Sequence, residues 1–224
     1  MKVTTDGCLF GAWVAERAGS RETGAGRVLD IGTGTGLLAL MLAQQTNFFI
    51  DAVEIDRDAA EQASANIAAS PWGERINIIA GDTREFVFSH KYDVIISNPP
   101  FYEKELKGDD AKKNIAHHNE GLLLPELLAI IKKNLALGGS FYLLLPFKRN
   151  EEVKKLFTEH TLAVEQITFL RQTVNHDYFR IMLAGKLTTE KLTETAVDEI
   201  SIKNEEKQYT PVFINLLKDY YLHL

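Results

Sequence analysis

The sequence predicts a doubly wound α/β sheet, mostly parallel, that ends in an antiparallel hairpin. Three observations carry this. Short apolar runs alternate with longer helix-like stretches from Arg27 onward, the pattern of strand–helix–strand crossovers. The early runs are continuously apolar, as strands covered on both faces are. The last two runs are joined only by a short polar link, 171–177, which leaves a hairpin as their connection.

Taken in order, 27–31 is a short strand that runs into a glycine-rich turn, and 37–45 follows with helical composition. Residues 49–54 form a second strand. The Ala-rich stretch 57–69 lacks Gly and Pro, so it reads as a helix, with Pro71 and Gly73 marking its end. Strands follow at 76–79 and 92–97. A long helix over 122–137 is closed by Gly138 and Gly139, and a fifth strand covers 140–145. Asn150 is a suitable N-cap for a helix over 150–160. Strands at 164–170 and 178–184 complete a sheet of seven. The whole chain, 1–224, is expected to be one domain. It has an N-terminal helical segment (1–26), a core sheet (27–185) and a C-terminal extension (186–224). The extension holds a charged stretch and then an apolar-rich helix near 211–222, expected to pack on the sheet.

Composition removes several classes of protein. The chain has 224 residues, 25 Lys plus Arg against 31 Asp plus Glu, a formal net charge of −6, and one Cys. That length suffices for a core that folds without staples. One Cys makes neither an internal disulfide nor a Cys-based zinc site, so Cys8 reads as a small buried hydrophobe in a reducing compartment. The apolar run 8–15 is too short to span a bilayer, which takes about 20 residues. It also follows Asp6, where a signal peptide wants a basic lead. The expectation is a soluble, cytoplasmic protein, a monomer, with no membrane attachment and no metal. The acidic balance argues against binding nucleic acid through a generally basic surface.

Ligands of such sheets bind at the carboxyl ends of the strands, so the chemistry is sought there. Asp30-Ile31-Gly32-Thr33-Gly34-Thr35-Gly36 joins the first strand to its helix. Glycines let the backbone approach a ligand closely. Leu37 stands where the dinucleotide fingerprint wants its third glycine, which disfavours a nicotinamide dehydrogenase. Glu54 ends the second strand and can accept from a ribose diol; Asp56, in the following turn, ranks lower. Asp82, after the third strand, either accepts from an exocyclic adenine amine or shapes its turn.

Asn98-Pro99-Pro100-Phe101 follows the fourth strand directly. Two prolines stiffen the backbone and remove two donors while leaving their carbonyls as acceptors. Asn98 offers a side-chain acceptor and Phe101 a flat stacking face. This suits a planar amine. The lone pair of an exocyclic aromatic amine is delocalised into the ring. Accepting both amine hydrogens, at the Asn98 side chain and the Pro99 carbonyl, favours a pyramidal nitrogen with a freer lone pair. Positioning then aligns that lone pair with its target. Stacking on Phe101 adds about 1–3 kcal/mol.

The Asp-x-Gly-x-Gly-x-Gly run with a strand-end Glu resembles the class I S-adenosylmethionine-dependent methyltransferases. That resemblance implies S-adenosyl-L-methionine as cofactor, with Asp30, Gly32, Gly34 and Gly36 along its methionine part. Glu54 would then lie on its ribose, Asp82 on its adenine, and Asn98 beside it. Asn-Pro-Pro-Phe resembles the motif of methyltransferases that modify planar nitrogens: adenine N6, guanine N2, cytosine N4 and glutamine N5. The chain ends are more particular. Residues 1–13 and the closing Tyr209-Thr210-Pro211 with 217–222 resemble the bacterial tRNA1(Val) adenine-N6-methyltransferases, a resemblance that runs over essentially the whole chain. It implies tRNA as partner and the adenine 3′ of the anticodon, position 37, as target. It also places Thr5, Asp6 and Gly7 near the cofactor's amino-acid end, where Asp6 can accept from an ammonium and Thr5 can donate to a carboxylate. A Thr-Asp pair capping a helix that starts near Leu9 is the alternative for these residues.

Two departures stand out. Members carry Ala-Arg-His after the Asn-Pro-Pro loop, and here Ala116-His117-His118 puts His in place of Arg. Members also usually begin with a dozen or so residues ahead of Lys2-Val3. The polar stretch 102–118 contains Tyr102, Lys104, Lys107, Lys112, Lys113, His117 and His118. A loop this long is usually functional. It reads as a substrate-facing lid that contacts phosphates, or as a solvated charged loop, since Glu103, Glu105, Asp109 and Asp110 dilute its charge. Lys148-Arg149, after the fifth strand, offers a second phosphate contact or simply flanks a helix. The rival functions are a methyltransferase of another planar amine (release-factor glutamine, rRNA guanine or DNA adenine) and a silent S-adenosylmethionine- or RNA-binding module.

Overall fold

The computed structural model describes residues 3–19, 26–99, 122–153, 162–187 and 194–224. Its centre is a single eight-stranded sheet. The strands are β1 (Arg27–Ile31), β2 (Phe49–Glu54), β3 (Ile76–Ala80), β4 (Tyr92–Ser97), β5 (Leu135–Pro146), β6 (Leu162–Thr173), β7 (Tyr178–Leu187) and β8 (Ala196–Lys203), in spatial order 3-2-1-4-5-7-6-8. Strands β1 to β5 pair in parallel. β7 runs antiparallel to β5 and β6, so the expected hairpin is present. The order reverses between β1 and β4, which opens a crevice at their carboxyl ends, the topological switch point of such sheets.

Helices cover both faces. α1 (Thr5–Gly19), α2 (Leu37–Gln45) and α5 (Pro211–Leu217) lie on one side, where Trp13, Leu42, Val28, Leu170 and Phe213 share a core. α3 (Arg57–Ala68) packs over β2 and β3, and α4 (Leu124–Asn134) lies on the opposite face, over Leu29, Ile95, Phe141 and Leu183. This double covering explains why β1 and β4 are almost continuously apolar: Val28, Leu29 and Ile31 are buried, and so are Val94, Ile95 and Ile96. α3 is capped by Asp56, whose Oδ1 accepts the Ala59 N–H at 2.8 Å.

Three sequence expectations need correction. The sheet has eight strands, not seven, because 196–203 joins β6 in parallel. Its Asp198, Glu199 and Lys203 make it read as a charged stretch, yet Ile200 and Ile202 alternate into the core, and β6 has an edge to fill. The helix expected over 122–137 stops at Asn134, and β5 starts at Leu135 rather than at 140. β4 captures the chain early: Leu135 pairs with Tyr92, and the Lys91 ammonium donates to the Lys133 carbonyl. The C-terminal helix covers Pro211–Leu217 only. Of the helix expected over 150–160, Asn150 to Val153 are helical and the rest lies outside the described residues.

Candidate functional site

The glycine loop takes its shape from the backbone conformations that glycine permits. Gly32, Gly34 and Gly36 all have positive φ, at 72°, 60° and 85°, where an L side chain is strained. The loop's own amides are tied down. Gly32 and Thr33 N–H both donate to the Val53 carbonyl, at 2.9 and 3.0 Å, and Gly36 N–H donates to Thr33 O. Asn66 on α3 donates to the Thr35 carbonyl at 2.9 Å. Gly36 is the N-cap of α2, with α3 close by: a Cβ there would lie 3.5 Å from Ile67.

Two buried carboxylates flank the loop. Glu54, at the carboxyl end of β2 and 5% exposed, accepts the Gly34 N–H at 2.7 Å and the Asp56 N–H at 2.9 Å. One bond at each oxygen leaves it further lone pairs for a diol. Asp30, at 0% exposure, accepts from the Thr33 hydroxyl at 2.6 Å through Oδ2. Its Oδ1 is buried without a hydrogen-bond partner. Burial pushes the Asp30 carboxyl up to about 7; the Thr33 hydrogen bond opposes this and the nearby Glu54 charge adds to it.

These features fit S-adenosyl-L-methionine. A Cβ built on Gly32 would meet nothing within 4 Å, so the loop backbone faces open space that a side chain would fill. A buried acceptor without a partner, on Asp30, and a carboxylate with spare lone pairs, on Glu54, flank the same loop. Of the two readings of Asp82, the structure shows the turn. It sits in the turn after β3, and both of its oxygens accept from Arg84, at 2.5 to 3.0 Å. Those bonds hold its carboxyl below the usual range.

Asn98 leaves β4 at the reversal of strand order. The preceding Ser97, fully buried, donates its hydroxyl to Ile31 O at 2.7 Å and so locks the end of β4 to the end of β1. Pro99 is buried. Pro100, Phe101, Tyr102, Lys104, Lys107, Lys112, Lys113, His117 and His118 lie outside the described residues. Lys148 and Arg149 follow β5 in a short 3-10 turn at the same end of the sheet, and Arg149 pairs with Glu152 at 3.5 Å.

The N-terminal turn reaches the same place. α1 starts at Thr5, earlier than expected, because Thr4 caps it: the Gly7 N–H donates to Thr4 Oγ1 at 3.3 Å. Thr5 and Asp6 therefore lie inside the first turn. A Cβ on Gly7 would lie 3.6 Å from Leu37 and 3.8 Å from the Asn98 amide. The structure thus brings together the α1 turn, the start of α2 and Asn98, which are far apart in the chain. It adds a residue that sequence reasoning missed. Arg180, at the start of β7, donates from Nε to Asp6 Oδ2 at 2.8 Å. No spacing or motif marks a lone arginine across 174 positions; only the hairpin's place in the sheet delivers it.

Comparisons with known proteins place the chain in a family and match its fold. The methyltransferase small domain family model matches residues 19–169. A Parabacteroides distasonis protein named tRNA1(Val) (adenine(37)-N6)-methyltransferase is 36% identical over 100% of this chain and 92% of its own length. Proteins of the same name from Cytophaga hutchinsonii and Pseudoalteromonas translucida are 39% and 37% identical, again over 100% of this chain and 92% and 93% of their own. Among solved structures, one described as a predicted O-methyltransferase from Agrobacterium tumefaciens has a TM-score of 0.69 at 15% identity, covering 94% of this chain and 95% of that one. The glycopeptide N-methyltransferase MtfA complexed with S-adenosyl-L-methionine has a TM-score of 0.57 at 13% identity, covering 80% and 94%.

Proposed function

We propose, from the premise that this chain belongs to the tRNA1(Val) (adenine(37)-N6)-methyltransferase family within the methyltransferase small domain, that Asn98 and the Pro99 carbonyl form the clamp for its substrate amine. The chain is an S-adenosyl-L-methionine-dependent methyltransferase that acts on the exocyclic N6 of an adenine in tRNA. Adenine 37 of tRNA1(Val) is the position named for the relatives and the one proposed here.

The cofactor supplies a methyl group on a positively charged sulfur. The residues of the chain do the rest. Gly32, Gly34 and Gly36 present bare backbone, and Glu54 at the end of β2 offers acceptors for a ribose. Asp30 holds Thr33, and with it the loop. Asp82, paired with Arg84, stands at the adenine side, and Asp6 offers a carboxylate to the amino-acid end, with Thr5 beside it. Asn98 accepts one amine hydrogen and Pro99 O the other, which frees the nitrogen lone pair and fixes its direction. Pro100 and Phe101 follow directly in the chain and would supply stiffness and a stacking face. At a net charge of −6, phosphate contacts have to come from local cations. Lys104, Lys107, Lys112, Lys113, His117, Lys148 and Arg149 are the proposed sources. No helix of the described residues is long and apolar enough to cross a membrane, and the proposed place of work is the cytoplasm, where tRNA is found.

The single observation that carries this reading is the placement of Asn98 at the sheet's reversal point, against the α1 turn and the start of α2. Labelled S-adenosyl-L-methionine offered with separate pools of unmodified tRNA, rRNA, DNA and release factor tests it. N6-methyladenine is expected in tRNA alone, and replacing adenine 37 of tRNA1(Val) with guanine should remove it. Label in another pool with none in tRNA overturns the reading.

A further inference from the structure

We infer that Arg180 is a positioning residue for the amino-acid end of the cofactor, acting through Asp6. This rests on the placement of Asp6 proposed above. Arg180, the third residue of β7, pairs with Pro146 at the carboxyl end of β5, two strands from β4, which Asn98 follows. That is about 10 Å across the sheet. Its Nε binds Asp6 Oδ2 at 2.8 Å, and the Asp6 side chain is only 12% exposed.

A carboxylate this enclosed tends to lose its charge. Burial does work to raise the Asp6 carboxyl, but the Arg180 and Thr4 hydrogen bonds outweigh it and hold the group below its usual range. Arg180 therefore favours the charged form of Asp6. The arginine uses one of about four lone-pair sites on the carboxylate.

Arg180 also ties down a helix end that would otherwise fray. The same turn presents Gly7 against Leu37 and the Asn98 amide. One guanidinium thus fixes a charge suited to an ammonium and the helix turn that borders the glycine loop. The amino-acid end of S-adenosyl-L-methionine carries an ammonium, and its nucleoside end carries none. The effect of Arg180 should follow that division.

Calorimetric titration of S-adenosyl-L-methionine, of S-adenosyl-L-homocysteine, which keeps the amino-acid part on a neutral sulfur, and of 5′-methylthioadenosine, a neutral thioether without the amino-acid part, reads the effect directly. Asp6→Asn should weaken S-adenosyl-L-methionine and S-adenosyl-L-homocysteine alike by roughly 10–100-fold, the scale of one hydrogen bond to a charged group, and leave 5′-methylthioadenosine within about twofold. Arg180→Gln should weaken the same two ligands selectively by about tenfold, Arg180→Lys should recover part of the loss, and the double variant should bind no worse than Asp6→Asn alone. Equal loss for all three ligands in Arg180→Gln, or no loss at all, overturns the role of Arg180 and leaves that of Asp6 standing. No selective loss in Asp6→Asn overturns the Asp6 placement, and the inference with it.

Discussion

The two ends of this sheet use one aspartate each in different ways. At the amino end Asp51 gathers its neighbours. The Tyr92 hydroxyl donates to it at 2.8 Å, Asn77 donates at 2.9 Å, and His90 Nε2 lies 3.4 Å away. The cluster joins β2, β3 and β4. At the carboxyl end Asp30 keeps a buried oxygen without a partner, and Gly32 faces open space. An unsatisfied buried acceptor costs about 1–3 kcal/mol, which a fold tolerates where a ligand uses the site. The amino end holds the sheet together; the carboxyl end keeps binding capacity in reserve.

The largest effect expected from this contrast lies at Asn98. Asn98→Ala should cut turnover by about a thousandfold, the scale of losing a positioning group at a reacting centre. Cofactor affinity by calorimetry should stay near that of the parent. Unchanged turnover would remove Asn98 from the chemistry.

Asp30 comes next. Its carboxyl is raised to about 7 in the fold, so the native state binds more protons than the unfolded chain between about pH 4 and pH 7. Stability therefore falls as pH rises through that window and levels off above it. The span is at most about 4 kcal/mol. Melting temperatures taken across the window should slope for the parent and flatten for Asp30→Asn. An equal slope in both would show that Asp30 titrates normally.

Glycines sharpen the comparison further. Gly32 and Gly138 have φ of 72° and 79°, and a Cβ on either would meet nothing within 4 Å. Alanine at either position should cost a similar 1–2 kcal/mol in denaturant unfolding, from backbone strain alone. Only Gly32→Ala should also weaken S-adenosyl-L-methionine. Equal binding by the two variants would break the division between the ends. The smallest effect is expected from Tyr92→Phe, which removes one hydrogen bond to Asp51. It should lower stability by about 1 kcal/mol and leave cofactor affinity untouched.

Much of the fold was legible because its signals are local. Continuous apolar runs, helix-favouring Ala-rich stretches and a hairpin-length link each need only neighbouring residues, and the parallel strands and closing hairpin they implied are present. β8 escaped notice because Asp198 and Glu199 mask the alternation of Ile200 and Ile202, and because a strand added to an edge depends on an edge being open. The long helix was over-extended because Leu135 favours a helix but pairs with Tyr92 in space. At the site, the glycine loop, Glu54 and Asn98 announced themselves by type and position. The bond that joins Arg180 to Asp6 left no mark in the spacing.

The sequence by itself determined the sheet class, the glycine loop, the strand-end carboxylate and the planar-amine motif, since backbone conformation and residue chemistry are properties of short segments. Only the tertiary structure decided that Gly7 lies against Asn98, that Asp30 keeps an unpartnered oxygen, and that Arg180 reaches Asp6. Those depend on burial and on contacts between residues far apart in the chain, where electrostatics and packing are set by the whole fold rather than by any one stretch of it.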